Sequence, residues 1–217
     1  MIEPLIQESD IHRPDETLDN DRLRVLALLK AHGRSASAFQ LLEQDYSYWF
    51  MGHDECQESV VAYVPTRRFM VVASGPVGPL EHLRIVIEGF GDFARSQGRH
   101  VLMVGVEPWQ LDAFGAYQHQ YDLFKIGEQP EWDTCKYSIE GPQSKTLRAQ
   151  INRARNKGVL VRRVDGEELA RSPGSLRLAI DHILTRWLRS RRIAVLHFMV
   201  NLEPFTLSTY RRYYVAV

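Results

Sequence analysis

An α/β chain of the α+β kind, with helices packed on a mixed sheet, is predicted by three observations. Residues 57–64 (QESVVAYV) and 67–74 (RRFMVVAS) are two β-branched runs joined by Pro65-Thr66, which reads as a hairpin with a tight turn. Leu80, Leu83, Val86, Ile87, Phe90 and Phe93 then recur at helical spacing, and Gly98 closes that helix. Residues 100–106 (HVLMVGV) follow as a short apolar run, the mark of a buried strand.

The remaining elements follow in chain order. Residues 1–19 are acidic and lack an apolar stretch of signal-peptide type, so they read as a mobile lead-in. Residues 20–33 read as a helix capped by Asp19 or Asn20, with Leu23, Leu26 and Leu29 on its apolar face and Gly33 at the C′ position. Residues 75–79 (GPVGP) are a breaker cluster. Pro108 opens a helix to about His119, and residues 121–126 and 134–139 look like further strands. Gly141-Pro142 is the best domain boundary, giving domains of residues 20–140 and 141–217. Beyond it, Ser144 is placed to cap a helix running to Lys157 and stopped by Gly158, and residues 159–164 make a strand. Residues 175–189 form an amphipathic helix with Leu176, Ile180, Ile183, Leu184, Trp187 and Leu188 inward. Residues 211–217 (RRYYVAV) read as a last strand, with no turn or partner strand after it.

Composition narrows the function classes. The chain has 217 residues, 44% hydrophobic and 25% charged, as in ordinary globular proteins. It contains no run of 18 apolar residues, so no segment reads as a membrane span, and a cytoplasmic protein is expected. Cys56 and Cys135 are too few for a disulfide framework or zinc knuckle and are expected as reduced thiols. The zero net charge conceals an asymmetry. Residues 1–140 carry 12 Lys/Arg against 22 Asp/Glu, and residues 141–217 carry 15 against 5. Two readings are open: the basic part attracts a polyanion, or the two parts neutralise each other across an interface.

The candidate chemistry concentrates on residues 144–157 (SKTLRAQINRARNK). Leu147, Ile151 and Ala154 share one helix face, while Lys145, Arg148, Arg153, Arg155 and Lys157 occupy the rest with no acid between them. Their mutual repulsion points to an anionic partner, phosphates foremost, and Arg162 and Arg163 continue the patch. A solvated face docked on the acidic half is the competing account. Residues 75–79 precede a helix but fit neither phosphate-loop pattern, and their prolines remove N–H donors; a rigid strand-to-helix turn is the better reading. The eight histidines form no metal-ligand spacing, so no metal is expected. Acidic neighbours Asp54, Glu55 and Glu58 argue against Cys56 as a nucleophile. Glu107 stands after the 100–106 strand, where α/β folds place active-site groups, but a carboxylate favoured in the first turn of the next helix is the better reading. Trp49, Trp109, Trp132 and Trp187 read as core or rim aromatics.

Five pieces in fixed order carry a family resemblance: VVASGPVGP, FKIGEQPEWDTCKYSIEG, KTLRAQINRARNKG, RWLRSRR and RRYYVAV. From about Tyr46 onward the chain resembles the catalytic domain of bacterial phosphatidylglycerol lysyltransferases, the aminoacyl-phosphatidylglycerol synthases. The resemblance implies tandem GNAT-like domains, the second represented only by its basic opening portion. It implies aminoacyl-tRNA as donor, a phosphatidylglycerol-type lipid as acceptor, and neither metal nor coenzyme A as cofactor. It assigns the basic helix to the tRNA acceptor stem, and it allows a peripheral location at the inner face of the membrane, on anionic phospholipid. The family domain continues past the strand matched by RRYYVAV, so the chain is expected to be truncated, without the part that holds the family's catalytic groups. No catalytic residue is therefore assigned. The other functions weighed are a non-catalytic anion- or membrane-binding remnant and a coenzyme A-dependent N-acyltransferase, which the absent pyrophosphate loop disfavours.

Overall fold

The computed structural model describes residues 18–52, 58–130, 132–133, 135–171, 176–190 and 205–217. The expectations for Cys56 and for residues 1–17 lie outside them. The chain divides into two units between Asp122 and Leu123, so Gly141-Pro142 falls inside the second.

The first unit begins with α1 (Asn20–His32), whose cap is Asp19: its carboxylate accepts the Arg22 N–H at 2.8 Å. Val25, Leu26 and Leu28 are its buried residues, while Leu23 stays 48% exposed, so the apolar face is rotated from the one expected. The cause is Arg22, which turns inward and donates through Nε to the Leu42 carbonyl at 2.7 Å. Gly33 is not left-handed (φ −64°); glycine is needed because a Cβ there would stand 2.5 Å from the Leu29 carbonyl oxygen. A 3₁₀ turn (Ala38–Leu42) leads into the sheet.

Four strands follow, in the order β1 (Ser47–Met51), β2 (Ser59–Pro65), β3 (Phe69–Ala73) and β4 (His100–Val104). The pairs β1–β2 and β2–β3 are antiparallel; β3–β4 is parallel, with α2 (Leu83–Ser96) as the crossover. β1, an aromatic run of SYWFM, was not expected. Pro65 is the last paired residue of β2, opposite Met70, and so lies just before the turn, which Thr66 closes by donating its N–H to the Phe69 carbonyl at 2.8 Å. β4 forms the edge of the sheet, and Leu102 is 48% exposed, so this run is half-covered rather than buried.

Pleating alternates the side chains. Val61, Met70 and Val72 meet Val86, Phe90 and Ala94 of α2, with Trp49, Tyr63, Phe93 and Met103 around them. Phe90 is fully buried at the centre, edge-on to Trp49 with ring centroids 5.7 Å apart. Val60 and Ala62 are equally inaccessible, so β2 is covered on both faces. The stop at Gly98 holds as expected: it takes φ +64°, and Arg99 N–H returns to the Ala94 carbonyl at 3.0 Å. Pro108 opens 3₁₀ turns over Pro108–Gln120, broken at Gly115, in place of the expected α-helix.

Around and beyond the division, residues 121–126 and 134–139 do not form the strands expected among their described residues. Leu123, Phe124 and Ile126 are 70%, 78% and 78% exposed in irregular backbone. β-propensity expresses itself only against a partner edge, and none is provided there. A 3₁₀ turn (Pro142–Ser144) winds into α3 (Lys145–Asn156). Then come β5 (Val161–Val164), α4 (Gly166–Arg171), α5 (Leu176–Arg189) and β6 (Tyr213–Ala216). β6 has a partner after all: it pairs antiparallel with β5, from Val161↔Ala216 to Val164↔Tyr213, and Leu160 and Val217 exchange two further hydrogen bonds of 2.9 Å. On α5 the expected inward stripe is incompletely covered, with Ile183 51% and Trp187 41% exposed. A two-stranded ribbon offers too little surface to bury the stripe of a helix of this length.

Candidate functional site

The cations of the second unit are set by α3. Ser144 does not cap it; the hydroxyl donates instead to the Ser138 carbonyl at 3.4 Å, because the 3₁₀ turn already carries the chain into the helix. Gly158 (φ +82°) ends the helix as expected, with Val159 N–H returning to the Ala154 carbonyl at 3.1 Å. Leu147, Ile151 and Ala154 are half-buried along one stripe. On the helical wheel Arg148 and Arg155 flank one side of it, Arg153 and Lys157 the other, and Lys145 stands opposite.

These five and Arg162 and Arg163 of β5 are not equivalent. Arg148 donates through Nη1 to the carbonyls of Ile139 (2.7 Å) and Gly141 (2.6 Å), strapping the segment that enters the helix. Arg162 pairs with Glu168 at 2.8 Å. Lys145, Arg153, Arg155, Lys157 and Arg163 are exposed and make no ion pair among the described residues. Three of them sit at the C-terminal end of α3, where the helix dipole offsets about 0.3–1 kcal/mol per cation of their mutual repulsion. The expected seven-residue cationic surface thus separates into five available cations and two engaged ones. Sequence spacing cannot reveal the carbonyls that Arg148 finds through the fold of the preceding turn.

A second polar cluster lies in the first unit, at the carboxyl ends of the parallel pair β3–β4. Ser74 follows β3 with φ +59° and is buried. Its carbonyl accepts Gln110 Nε2–H at 2.7 Å, and its hydroxyl bonds that of Ser37 at 2.7 Å, which in turn bonds Ser35 at 2.9 Å. Gln110 also accepts the Glu107 N–H through Oε1 at 2.8 Å, so it ties the two strand ends together. Gly75 leaves room for it: a Cβ there would come within 2.6 Å of Gln110 Nε2. The α-helix whose first turn was expected to favour the Glu107 carboxylate is replaced by the 3₁₀ turns over Pro108–Gln120. Oε2 accepts the Trp109 indole N–H at 2.8 Å, and Oε1, buried, has no hydrogen-bond partner among the described residues. Gln110 and Ser74 were missed in the sequence; a glutamine three residues after a strand-end carboxylate is too common a pattern to signal a bridge. Residues 75–79 form the structural turn expected, with Val60 and Val77 exchanging hydrogen bonds of 2.8 and 2.9 Å. Cys135 is a free, exposed thiol.

A family model described as phosphatidylglycerol lysyltransferase, C-terminal, matches residues 26–214. The chain belongs to this family. Among curated proteins, phosphatidylglycerol lysyltransferases of two Staphylococcus epidermidis strains are 21% identical over 127 residues, 58% of this chain but only 14% of theirs. Among solved structures, L-PGS from Bacillus licheniformis superposes with a TM-score of 0.69 at 20% identity, covering 94% of this chain and 59% of that one. The C-terminal domain of a lysylphosphatidylglycerol synthetase homologue from Agrobacterium fabrum gives 0.66 at 21% identity, covering 79% and 52%. The fold is therefore the GNAT-like mixed α/β architecture of the phosphatidylglycerol lysyltransferase C-terminal domains. Among the described residues no helix is long and apolar enough to cross a membrane.

Proposed function

We propose that this chain serves aminoacyl transfer from tRNA to a phosphatidylglycerol-type lipid, and that the exposed cations of α3 and β5 hold the tRNA acceptor stem. The family match over residues 26–214 carries the reading. In such a reaction the lipid hydroxyl attacks the aminoacyl carbonyl, a new ester forms, and the tRNA ribose oxygen leaves with the proton. One ester replaces another, so the protein's task is positioning and proton transfer rather than activation. Lys145, Arg153, Arg155, Lys157 and Arg163 neutralise backbone phosphates, while Arg148 shapes the entrance to the helix. Residues for the chemistry itself are not assigned.

Salt is the test. Binding of tRNA to the chain, measured by filter retention or anisotropy, weakens steeply from low to high salt if five cations release counterions, with a log–log slope of about −0.7 to −0.9 for each phosphate contacted. Absence of binding, or binding indifferent to salt, removes the tRNA reading.

A second reading, a membrane-surface module without catalysis, is favoured by one observation. The half-buried stripe Leu147–Ile151–Ala154 is flanked by cations on both sides, as in helices that lie in an anionic lipid interface. Flotation with phosphatidylglycerol vesicles but no affinity for tRNA selects it.

A further inference from the structure

The sheet of the first unit is closed by α2 on one face and left partly open on the other. Residues of β3 and β4 that pair in register point to the same side. Met70, Val72, Val101 and Met103 therefore pack with α2, while Phe69, Val71, His100 and Leu102 face away from it. Val64, paired with Val71, joins this outer group. One end of the outer face is closed, since Val60, Ala62 and Ala73 are buried. The hairpin end is not: Phe69 is 40% and Leu102 48% exposed, His100 is exposed, and Val64 and Val71 are half-buried. The Phe69 and His100 rings lie beside each other there, with centroids 5.8 Å apart.

Cations stand at the same end. The hairpin turn presents Arg67 and Arg68, both exposed. Thr66 fixes that turn: its N–H donates to the Phe69 carbonyl at 2.8 Å, and its Oγ1 accepts the Phe69 N–H at 3.0 Å. The Arg68 carbonyl accepts the His100 N–H at 2.9 Å, which brings the charge of Arg99 to the same end of the sheet. None of these three arginines makes an ion pair among the described residues. The sequence supplies the reason. Residues 59–80 and 93–106, which make β2, β3, β4 and the turns between them, contain no Asp or Glu, although residues 17–122 as a whole carry 13 Asp/Glu against 9 Lys/Arg.

Apolar exposure and unpaired charge together select the occupant. Free phosphate would neutralise the arginines and leave Phe69 and Leu102 in water. A nucleic acid strand would stack on Phe69 or His100 but gain nothing from Val64, Val71 and Leu102, which have no ring. An anionic lipid surface satisfies both features, with headgroup phosphates at the arginines and apolar side chains at the acyl boundary.

We propose that the hairpin end of this outer sheet face is a docking surface for an anionic phospholipid bilayer, with Arg67 and Arg68 on the headgroups and Phe69 and Leu102 at the acyl boundary. The choice of lipid over an acidic protein rests on the proposed phosphatidylglycerol-type acceptor. The surface itself is distinct from α3 and carries no step of the transfer.

The test uses the full chain and vesicles without tRNA. Flotation with phosphatidylglycerol vesicles is expected to show binding at least tenfold tighter than with phosphatidylcholine vesicles. Amide hydrogen exchange on the phosphatidylglycerol vesicles is expected to slow over residues 66–70 and 99–103 and to stay unchanged over α3. Arg67→Glu combined with Arg68→Glu, both at an exposed turn, is expected to weaken vesicle binding at least tenfold with the melting temperature unchanged. Equal binding to the two vesicle types, slowed exchange on α3 in place of the two stretches, or undiminished binding by the double variant each overturns the surface. So does protection of the same two stretches by tRNA alone, which would assign them to nucleic acid. Transfer to phosphatidylglycerol without vesicle docking removes this surface and leaves the reaction; docking without transfer upholds the surface and removes the reaction.

Discussion

The two units of this chain treat their apolar residues in opposite ways. Of the 22 buried apolar residues among those described, 19 lie before residue 123, from Val25 to Phe114. After it only Val164, Leu169 and Leu207 are buried, while Leu123, Phe124, Ile126, Trp132, Leu160 and Tyr214 are each more than 60% exposed. The difference is one of sheet size. Four strands against α2 close a core around Phe90; a ribbon of β5 and β6 covers almost nothing. Stability is thus concentrated in the first unit, and the second displays side chains whose energy is available to a partner.

Breaking the core gives the largest effect. Phe90→Ala is expected to cost about 3–5 kcal/mol in chemical denaturation, because the cavity is walled by fixed strands. Trp187→Ala on α5, already 41% exposed, is expected to cost well under half of that, and equal losses would erase the contrast.

The charges come next. Reversing Arg153 and Arg155 together is expected to lower tRNA affinity about 10- to 100-fold at low salt and flatten its salt dependence, with the melting temperature unchanged. Arg148→Ala should do the converse: a lower melting temperature from loss of its bonds to Ile139 and Gly141, and a smaller change in affinity. If Arg148 alone governs affinity, the division of the seven cations is wrong.

Alkaline pH probes the first unit specifically. Burial raises the Tyr48 hydroxyl well above the ordinary tyrosine range, and burial also raises Tyr63 and Tyr121. A raised folded-state pKa means the unfolded chain releases the proton first. Their contribution is therefore complete below the unfolded value, about pH 10, and is lost as pH climbs from there toward the folded values. Tyr48→Phe is expected to reduce that alkaline loss, while costing about 1 kcal/mol at neutral pH for its bond to the Leu41 carbonyl, 2.6 Å long. Stability measured from pH 8 to 11 decides it.

The smallest effect belongs to the exposed pair Arg162–Glu168. Breaking it with Glu168→Gln is expected to change stability by less than about 1 kcal/mol. Its use lies elsewhere: it frees Arg162, so a gain in tRNA affinity would show that β5 belongs to the cationic surface.

Local signals were legible wherever a local rule decides the outcome. Asp19 as cap, Gly98 and Gly158 as stops, the 59–73 hairpin, and the extents of α3 and α5 follow from spacing and capping chemistry. The failures share a cause. Residues 121–126 and 134–139 have strand composition without a partner, and β1 has a partner without alternation in its sequence, because pairing is a property of two segments. The candidate cations were all visible; their division was not. Nothing in residues 144–157 announces that Arg148 turns to backbone carbonyls seven and nine residues earlier.

By itself, then, the order of residues determined the family, the mixed α/β class and the basic character of α3, since each depends on motif order, period or composition carried within the chain. Only the tertiary structure decided that β6 pairs with β5, that Arg22 faces inward, and that a half-satisfied Glu107 meets Ser74 through Gln110. Apart from the short Glu107–Gln110 link, those are contacts between residues from 20 to more than 50 positions apart. Their energies exist only once backbone polar groups far along the chain have been brought within hydrogen-bond reach.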